Sequence, residues 1–124
     1  MVHTHPTYCT VLAIMGLEIP PIHYMIACAG GDTIRVAPYA TFGTQELSEH
    51  AVRALEGRLA CLLEHHGMIA VGPSLPKAMW LAVEVETLAR QYHGCLQIGR
   101  PPLLPEEEIE RVRVKMAGYG LSGA

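Results

Sequence analysis

Residues 59–63 (Leu-Ala-Cys-Leu-Leu) form one continuous apolar run and residues 68–71 (Met-Ile-Ala-Val) a second. Apolar runs this short, bounded by turn residues, read as strands. The polar His65-His66-Gly67 between them reads as their turn. Gly72-Pro73 breaks the pattern, and Ser74 is a good N-cap. From there Ala78, Met79, Ala82, Val85 and Ala89 fall on one stripe, which predicts a long helix to roughly Leu96. Residues 99–105 read as an irregular connector. Pro105 and the run Glu106-Glu107-Glu108 start a last helix ending near Gly118 to Gly120, with its acidic residues at the favourable end of the helix dipole.

The first half alternates in the same way. Residues 2–5 read as the end of a strand, and Pro6 ends it and opens a helix over 6–15, closed by Gly16. Pro20-Pro21 forces an extended entry to residues 22–29. Gly30-Gly31-Asp32 is a turn, and Thr33 to Ala37 reads as a strand that Pro38 ends. Thr44 caps a helix to about Glu56, which Gly57 terminates.

Composition narrows the class. The 124 residues suit one domain spanning 1–124, and 50% hydrophobic against 17% charged residues suits a chain that buries a core and a subunit interface. A net charge of −3 provides no basic footprint for nucleic acid. No apolar run approaches a membrane span, and residues 1–20 lack the pattern of a signal peptide. Cys9, Cys28, Cys61 and Cys95 are widely spaced without a C-x-x-C pair, and read as buried, reduced thiols of a cytoplasmic protein.

The candidate chemistry lies in the histidines. His3 and His5 are two apart on a strand and so share a face. A histidine of the 65–66 turn is placed to supply a third nitrogen, but neighbours on an extended backbone point opposite ways, so spacing alone leaves His65 and His66 both open. Three histidines with an open position describe a catalytic metal site, with zinc the default for non-redox chemistry. His23, His50 and His93 have no such constellation and read as structural or exposed. Tyr24 and Tyr39 are candidate proton donors, though tyrosines more often pack with the hydroxyl bonded. Glu64 reads as a strand-end residue.

Several stretches together resemble the class II aldolase family: Val2-His3-Thr4-His5, Ile22-His23-Tyr24-Met25-Ile26, residues 37–44 (Ala-Pro-Tyr-Ala-Thr-Phe-Gly-Thr), Leu47-Ser48-Glu49-His50, His65-His66-Gly67 and residues 77–82 (Lys-Ala-Met-Trp-Leu-Ala). The likeness runs in one order over essentially the whole chain. It implies an α/β fold, a three-layer α/β/α sandwich around a largely antiparallel sheet, with the strand at His3 in sheet contact with the strand ending near Glu64. It implies zinc held by His3, His5 and His66, since the family's ligand is the histidine directly before the glycine. Tyr24 matches a tyrosine that reaches into a neighbouring subunit's site and moves a proton at the aldehyde end. Phe42 and Tyr119 match substrate-contacting aromatic residues, and Met116 stands where an aromatic is usual.

The implied reaction is retro-aldol cleavage of a ketose 1-phosphate, such as L-fuculose 1-phosphate, to dihydroxyacetone phosphate and L-lactaldehyde, in a homotetramer with sites at subunit interfaces. Pentose-phosphate 4-epimerases and dehydratases share the His-x-His and His-Gly motifs. Those sibling activities and a catalytically inactive metal-binding fragment are the alternatives. Family members carry a segment before the His-x-His motif that supplies the phosphate-binding loops and a catalytic glutamate. Here Met1 stands directly before Val2, so the expectation is an N-terminally shortened member with no appreciable activity on its own.

Overall fold

The computed structural model describes residues 1–118. Strand β1 (Val2–Thr4) leads into helix α1 (Thr7–Ile14), then a 3-10 helix (Tyr24–Ala29), β2 (Val36–Ala37) and α2 (Gln45–Ala54). The hairpin β3 (Ala60–Leu63) and β4 (Gly67–Ala70) follows, then α3 (Leu75–Ile98) and α4 (Glu106–Gly118). The strands form one sheet in the order β1-β4-β3-β2. β1 with β4 and β4 with β3 are antiparallel, and β2 with β3 is parallel, joined through α2 as parallel neighbours require.

The sheet separates two cores, which makes the three layers. Val2, Ala60, Leu62, Met68 and Ala70 pack with Leu12, Val85, Leu88 and Ile109 of the helices on one face. Ala37, Cys61 and Leu63 pack under Ala51 and Ala54 of α2 on the other. All four residues of β3 are buried, which explains a continuous apolar run where a half-exposed strand would alternate.

Three expectations need correction. The strand at His3 does not pair with the strand ending at Leu63. β3 already has β2 on one edge and its hairpin partner on the other, so β1 takes the outer edge of β4, with Val2 opposite Ala70, His3 opposite Ile69 and Thr4 opposite Met68. The extended backbone after Pro20-Pro21 stops at His23, with φ −148° and ψ 144°: the 3-10 helix begins there, where the His23 ring nitrogen Nδ1 accepts from the Met25 N–H at 3.0 Å, and Ile26, Ala27 and Ala29 turn into the core. The strand over 33–37 shrinks to Val36–Ala37, because Ile34 bonds instead in both directions with Ile19, at 3.0 Å each.

The helix caps form as expected, with Thr44 accepting from Leu47 N–H and Ser74 from Lys77 N–H, each at 3.3 Å. The four cysteines are free thiols; Cys9 and Cys61 are buried, whereas Cys28 and Cys95 are half-buried. Burial pushes the Cys28 and Cys61 thiols up to about 12, with the nearby Glu84 carboxylate adding to the effect at Cys28. Among the described residues no helix is long and apolar enough to cross a membrane.

Candidate metal centre

The site lies at the turn end of the β3–β4 hairpin. His3 sits opposite Ile69, whose side chain packs toward the α2 face, so His3 and the residue two further on, His5, face that side. α2 covers β2 and β3, while His3 and His5 are exposed. His66 comes from the hairpin turn. That turn is shaped by His65, whose φ of +58° lies in the left-handed region, unusual for a residue other than glycine. It is pinned by the His66 N–H to Leu63 O at 2.9 Å and the His65 N–H to Ala13 O at 3.4 Å.

The three imidazoles converge. Their ring centroids form a near-equilateral triangle with sides of 5.0, 4.8 and 4.8 Å. One nitrogen from each lies within 4.8 Å of the other two. The His3 Nδ1–H donates to Met68 O at 2.9 Å; a carbonyl only accepts, so this bond fixes the proton on Nδ1 and leaves Nε2 as the free donor. Burial, then the neighbouring His3 and His5 rings, hold His66 below its ordinary pKa, which favours the neutral ring a metal requires.

The donor set fits a metal ion. A tetrahedral zinc at about 2.0–2.1 Å from each nitrogen spaces its ligands roughly 3.4 Å apart, within reach of small rotations of the two exposed rings. Three imidazoles leave a fourth position for substrate or water, and nitrogen donors suit zinc, copper, iron or nickel.

Gly67 is what permits this approach, and spacing gave no sign of it. A Cβ at Gly67 would lie 2.3 Å from Thr4 O, 2.8 Å from the His5 ring carbon Cδ2 and 3.2 Å from His5 Cα. Only a residue without a side chain lets the end of β1 lie this close to the hairpin.

The other candidates fall in two places. Phe42 is 80% exposed on the turn between β2 and α2, where Thr44 Oγ1 donates to Thr41 O at 2.6 Å. β2 ends beside the end of β3, at the same end of the sheet as His66. Tyr39 is there too, its ring edge-on to His65 with centroids 6.0 Å apart. Tyr24 instead starts the 3-10 helix, half-exposed and stacked on His23 at 4.7 Å. That helix ends against the start of β3, with the Leu59 N–H bonded to Ala29 O at 2.8 Å, and α4 packs on it. Met116 of α4 is buried and lines a cavity of about 530 Å³ with Ala27, Leu59, Val71 and Trp80. Met116 thus lies toward the opposite end of the β3–β4 hairpin from His66, a hairpin arm of about 13 Å. Tyr119 lies outside the described residues.

The remaining histidines have structural partners: His23 caps the 3-10 helix, His50 Nδ1–H donates to Pro38 O at 3.0 Å, and His93 packs against Tyr8 with centroids 5.4 Å apart. Glu64 Oε2 lies over Gly16, 3.9 Å from where its Cβ would stand.

Known proteins carry the same arrangement of sequence and fold. The family profile described as Class II Aldolase and Adducin N-terminal domain matches residues 1–93, including all three histidines. The 5-methylthioribulose-1-phosphate/5-deoxyribulose-1-phosphate aldolase of Rhodospirillum rubrum is 60% identical over 120 residues, 97% of this chain and 54% of its own length. The L-fuculose phosphate aldolase of Escherichia coli K12 is 55% identical over 122 residues, 98% of this chain and 57% of its own. A solved structure of an L-fuculose 1-phosphate aldolase superposes with a TM-score of 0.90 at 45% identity, covering 93% of this chain and 54% of that one. The chain spans about half the length of the curated relatives it matches. On its sequence and its fold, the chain belongs to the class II aldolase and adducin family.

Proposed function

We propose that this chain supplies the metal-binding half of a zinc-dependent lyase that cleaves a ketose 1-phosphate by a retro-aldol reaction. The observation that carries the reading is the convergence of His3, His5 and His66 on one point in a chain of this family. When bound, the metal supplies Lewis-acid stabilisation of the negative charge that develops at the ketone oxygen as the carbon–carbon bond breaks. The chain's own part is to hold that charge in place. His3, locked in one tautomer by Met68 O, and His66, kept neutral by its surroundings, present lone pairs without rearrangement.

The relatives' names refer to L-fuculose phosphate and to 5-methylthioribulose and 5-deoxyribulose 1-phosphates. Cleavage next to the ketone end of each releases the same product, dihydroxyacetone phosphate, and an aldehyde that differs only in its tail. L-fuculose 1-phosphate would release L-lactaldehyde. Phe42 is proposed to form an apolar wall at that tail. Tyr24 is proposed to act at the metal site of another copy, and Met116 and Tyr119 to be substrate-contacting positions. The half-exposed Tyr24 ring, stacked on His23 rather than on a histidine of the triad, supports that reading, and with it an oligomer, proposed as a homotetramer in the cytoplasm. Tyr24 would protonate the aldehyde oxygen or accept its proton, according to the direction of reaction.

The test is release of dihydroxyacetone phosphate from the three sugar phosphates, with zinc, by the chain alone and by the chain preceded by a family N-terminal segment. Cleavage in the second form, lost on chelation and in His66→Ala, is expected. A zinc-loaded protein in that form that cleaves none of the three refutes the assignment.

A further inference from the structure

We propose that Glu86 is a positioning residue for the three-histidine site: it clamps the first turn of α1 so that His5 stays aimed at His3 and His66. The inference rests on reading the triad as a metal site. α1 begins at Thr7, two residues after His5, and its N-cap is Pro6, which offers no side-chain acceptor. The first N–H groups of a helix have no partner within it and need acceptors from elsewhere. Here they come from α3. Glu86 Oε2 accepts from the Tyr8 N–H at 3.1 Å and Oε1 from the Cys9 N–H at 2.9 Å, across 78 and 77 positions of sequence.

Both carboxylate oxygens are therefore spent on one helix end. Glu86 is half-buried, and among the described residues no lysine or arginine lies within ion-pair distance of it. Arg90, one turn further along α3, lies over the Tyr8 ring at 5.7 Å instead. The charge on Glu86 is thus compensated by the two N–H groups and by the positive end of α1, an arrangement stronger than a neutral hydrogen bond. Its base is firm, since Val85, Leu88 and Ala89 beside it on α3 are all buried.

The link from clamp to ligand is short and stiff. Between His5 and Tyr8 stand only Pro6, with φ of −73°, and Thr7. Proline restricts both its own φ and the residue before it, which is His5. A shift of the first turn of α1 is therefore passed to the His5 ring rather than absorbed. Gly67 bounds that ring on one side; Glu86 fixes the chain on the other. Partners that orient ligands in this way typically govern metal affinity by about 10–100-fold.

The test uses the whole chain titrated with Co2+, whose visible absorption reports ligand number and geometry, with thermal unfolding followed alongside. Glu86→Ala should weaken Co2+ binding by about 10–100-fold and alter the absorption band. Glu86→Gln, which keeps one acceptor oxygen, should fall between Glu86→Ala and wild type, and decides the matter if the alanine variant does not fold. Leu88→Ala, a core truncation that leaves both N–H bonds intact, should lower the melting temperature while keeping the wild-type band. Wild-type affinity and band in both Glu86 variants overturns the proposal, as does an equal loss in Leu88→Ala. Failure of the metal reading itself is distinguishable: wild type would then show no band that His66→Ala removes.

Discussion

Replacing Gly67 by alanine tests the site through a single methyl group. Nothing in the backbone objects, because Gly67 does not have a positive φ. On backbone grounds alone, Gly→Ala at a compatible position stabilises by about 0.4–1 kcal/mol through the unfolded chain. The new Cβ, however, would stand 2.3 Å from Thr4 O, where ordinary contact begins at 3.4 Å. The obstacle is a carbonyl of the backbone, so β1 must retreat by about 1 Å, a small-to-large strain that costs roughly 1–3 kcal/mol. At about 4 °C per kcal/mol for a chain of this size, the metal-free melting temperature should fall by roughly 4–12 °C. The same retreat carries His5 away from His66. Metal–nitrogen distances tolerate only about 0.2 Å, so zinc affinity should drop by about 10–100-fold, the scale set by disturbed ligand orientation. Competition against a chromophoric chelator measures the affinity and scanning calorimetry the stability. A variant with a raised melting temperature and unchanged zinc affinity would show that the close approach of β1 to Gly67 is not what sets the triad.

Three further outcomes are expected. His66→Ala should abolish tight zinc binding while His65→Ala keeps most of it; equal losses by calorimetric titration would mean that the wrong histidine of the turn has been assigned. The Cys28 and Cys61 thiols are raised by burial from 9.0 to about 12 in the folded chain, so the folded state holds these protons more tightly than the unfolded one. Their contribution to stability is complete below pH 9 and lost as the pH rises toward 12; urea midpoints should fall between pH 8 and about pH 10.5, and a Cys28→Ala/Cys61→Ala variant showing the same fall would assign it to other groups. If Tyr24 serves another copy's site, the chain preceded by a family N-terminal segment should lose turnover when held monomeric while still binding zinc, and normal turnover by that monomer in a sedimentation-checked assay would end that assignment.

What the sequence made legible was local. Thr44 and Ser74 cap the helices they were expected to cap because an N-cap bond spans three residues and needs no tertiary partner. The His-x-His pair could be read because a strand repeats every two residues. The choice between His65 and His66 could not be read from spacing, since it depends on a left-handed residue in the turn that no period reveals. The 3-10 helix at Tyr24 escaped because a short apolar run after two prolines suits either an extended or a turned backbone, and the core decided. Strand order escaped for a related reason: β1 lies against β4 because both edges of β3 were taken, which only the assembled sheet decides. Gly67 and Glu86 were invisible because their roles lie in contacts with residues far away in the chain.

The position of β1 at the edge of the sheet also bears on how the molecule opens. β1 is only three residues long, and the His3–Met68 hydrogen bond that ties it down joins residues 65 positions apart. Closing so long a loop is entropically unfavourable, and elements held this way open locally well below the global unfolding free energy. β3, paired on both edges and buried throughout, has no such escape. Fraying of β1 would carry off His3 and leave His5 held only from the α1 side. An ion held by all three histidines therefore acts as a cross-link between the chain's first strand and its central hairpin, and every release of the ion is coupled to a loosening of the same edge. Exchange of the β1 and β4 amides bonded across that pairing should then follow metal concentration, while exchange at Cys61 and Leu62 should not.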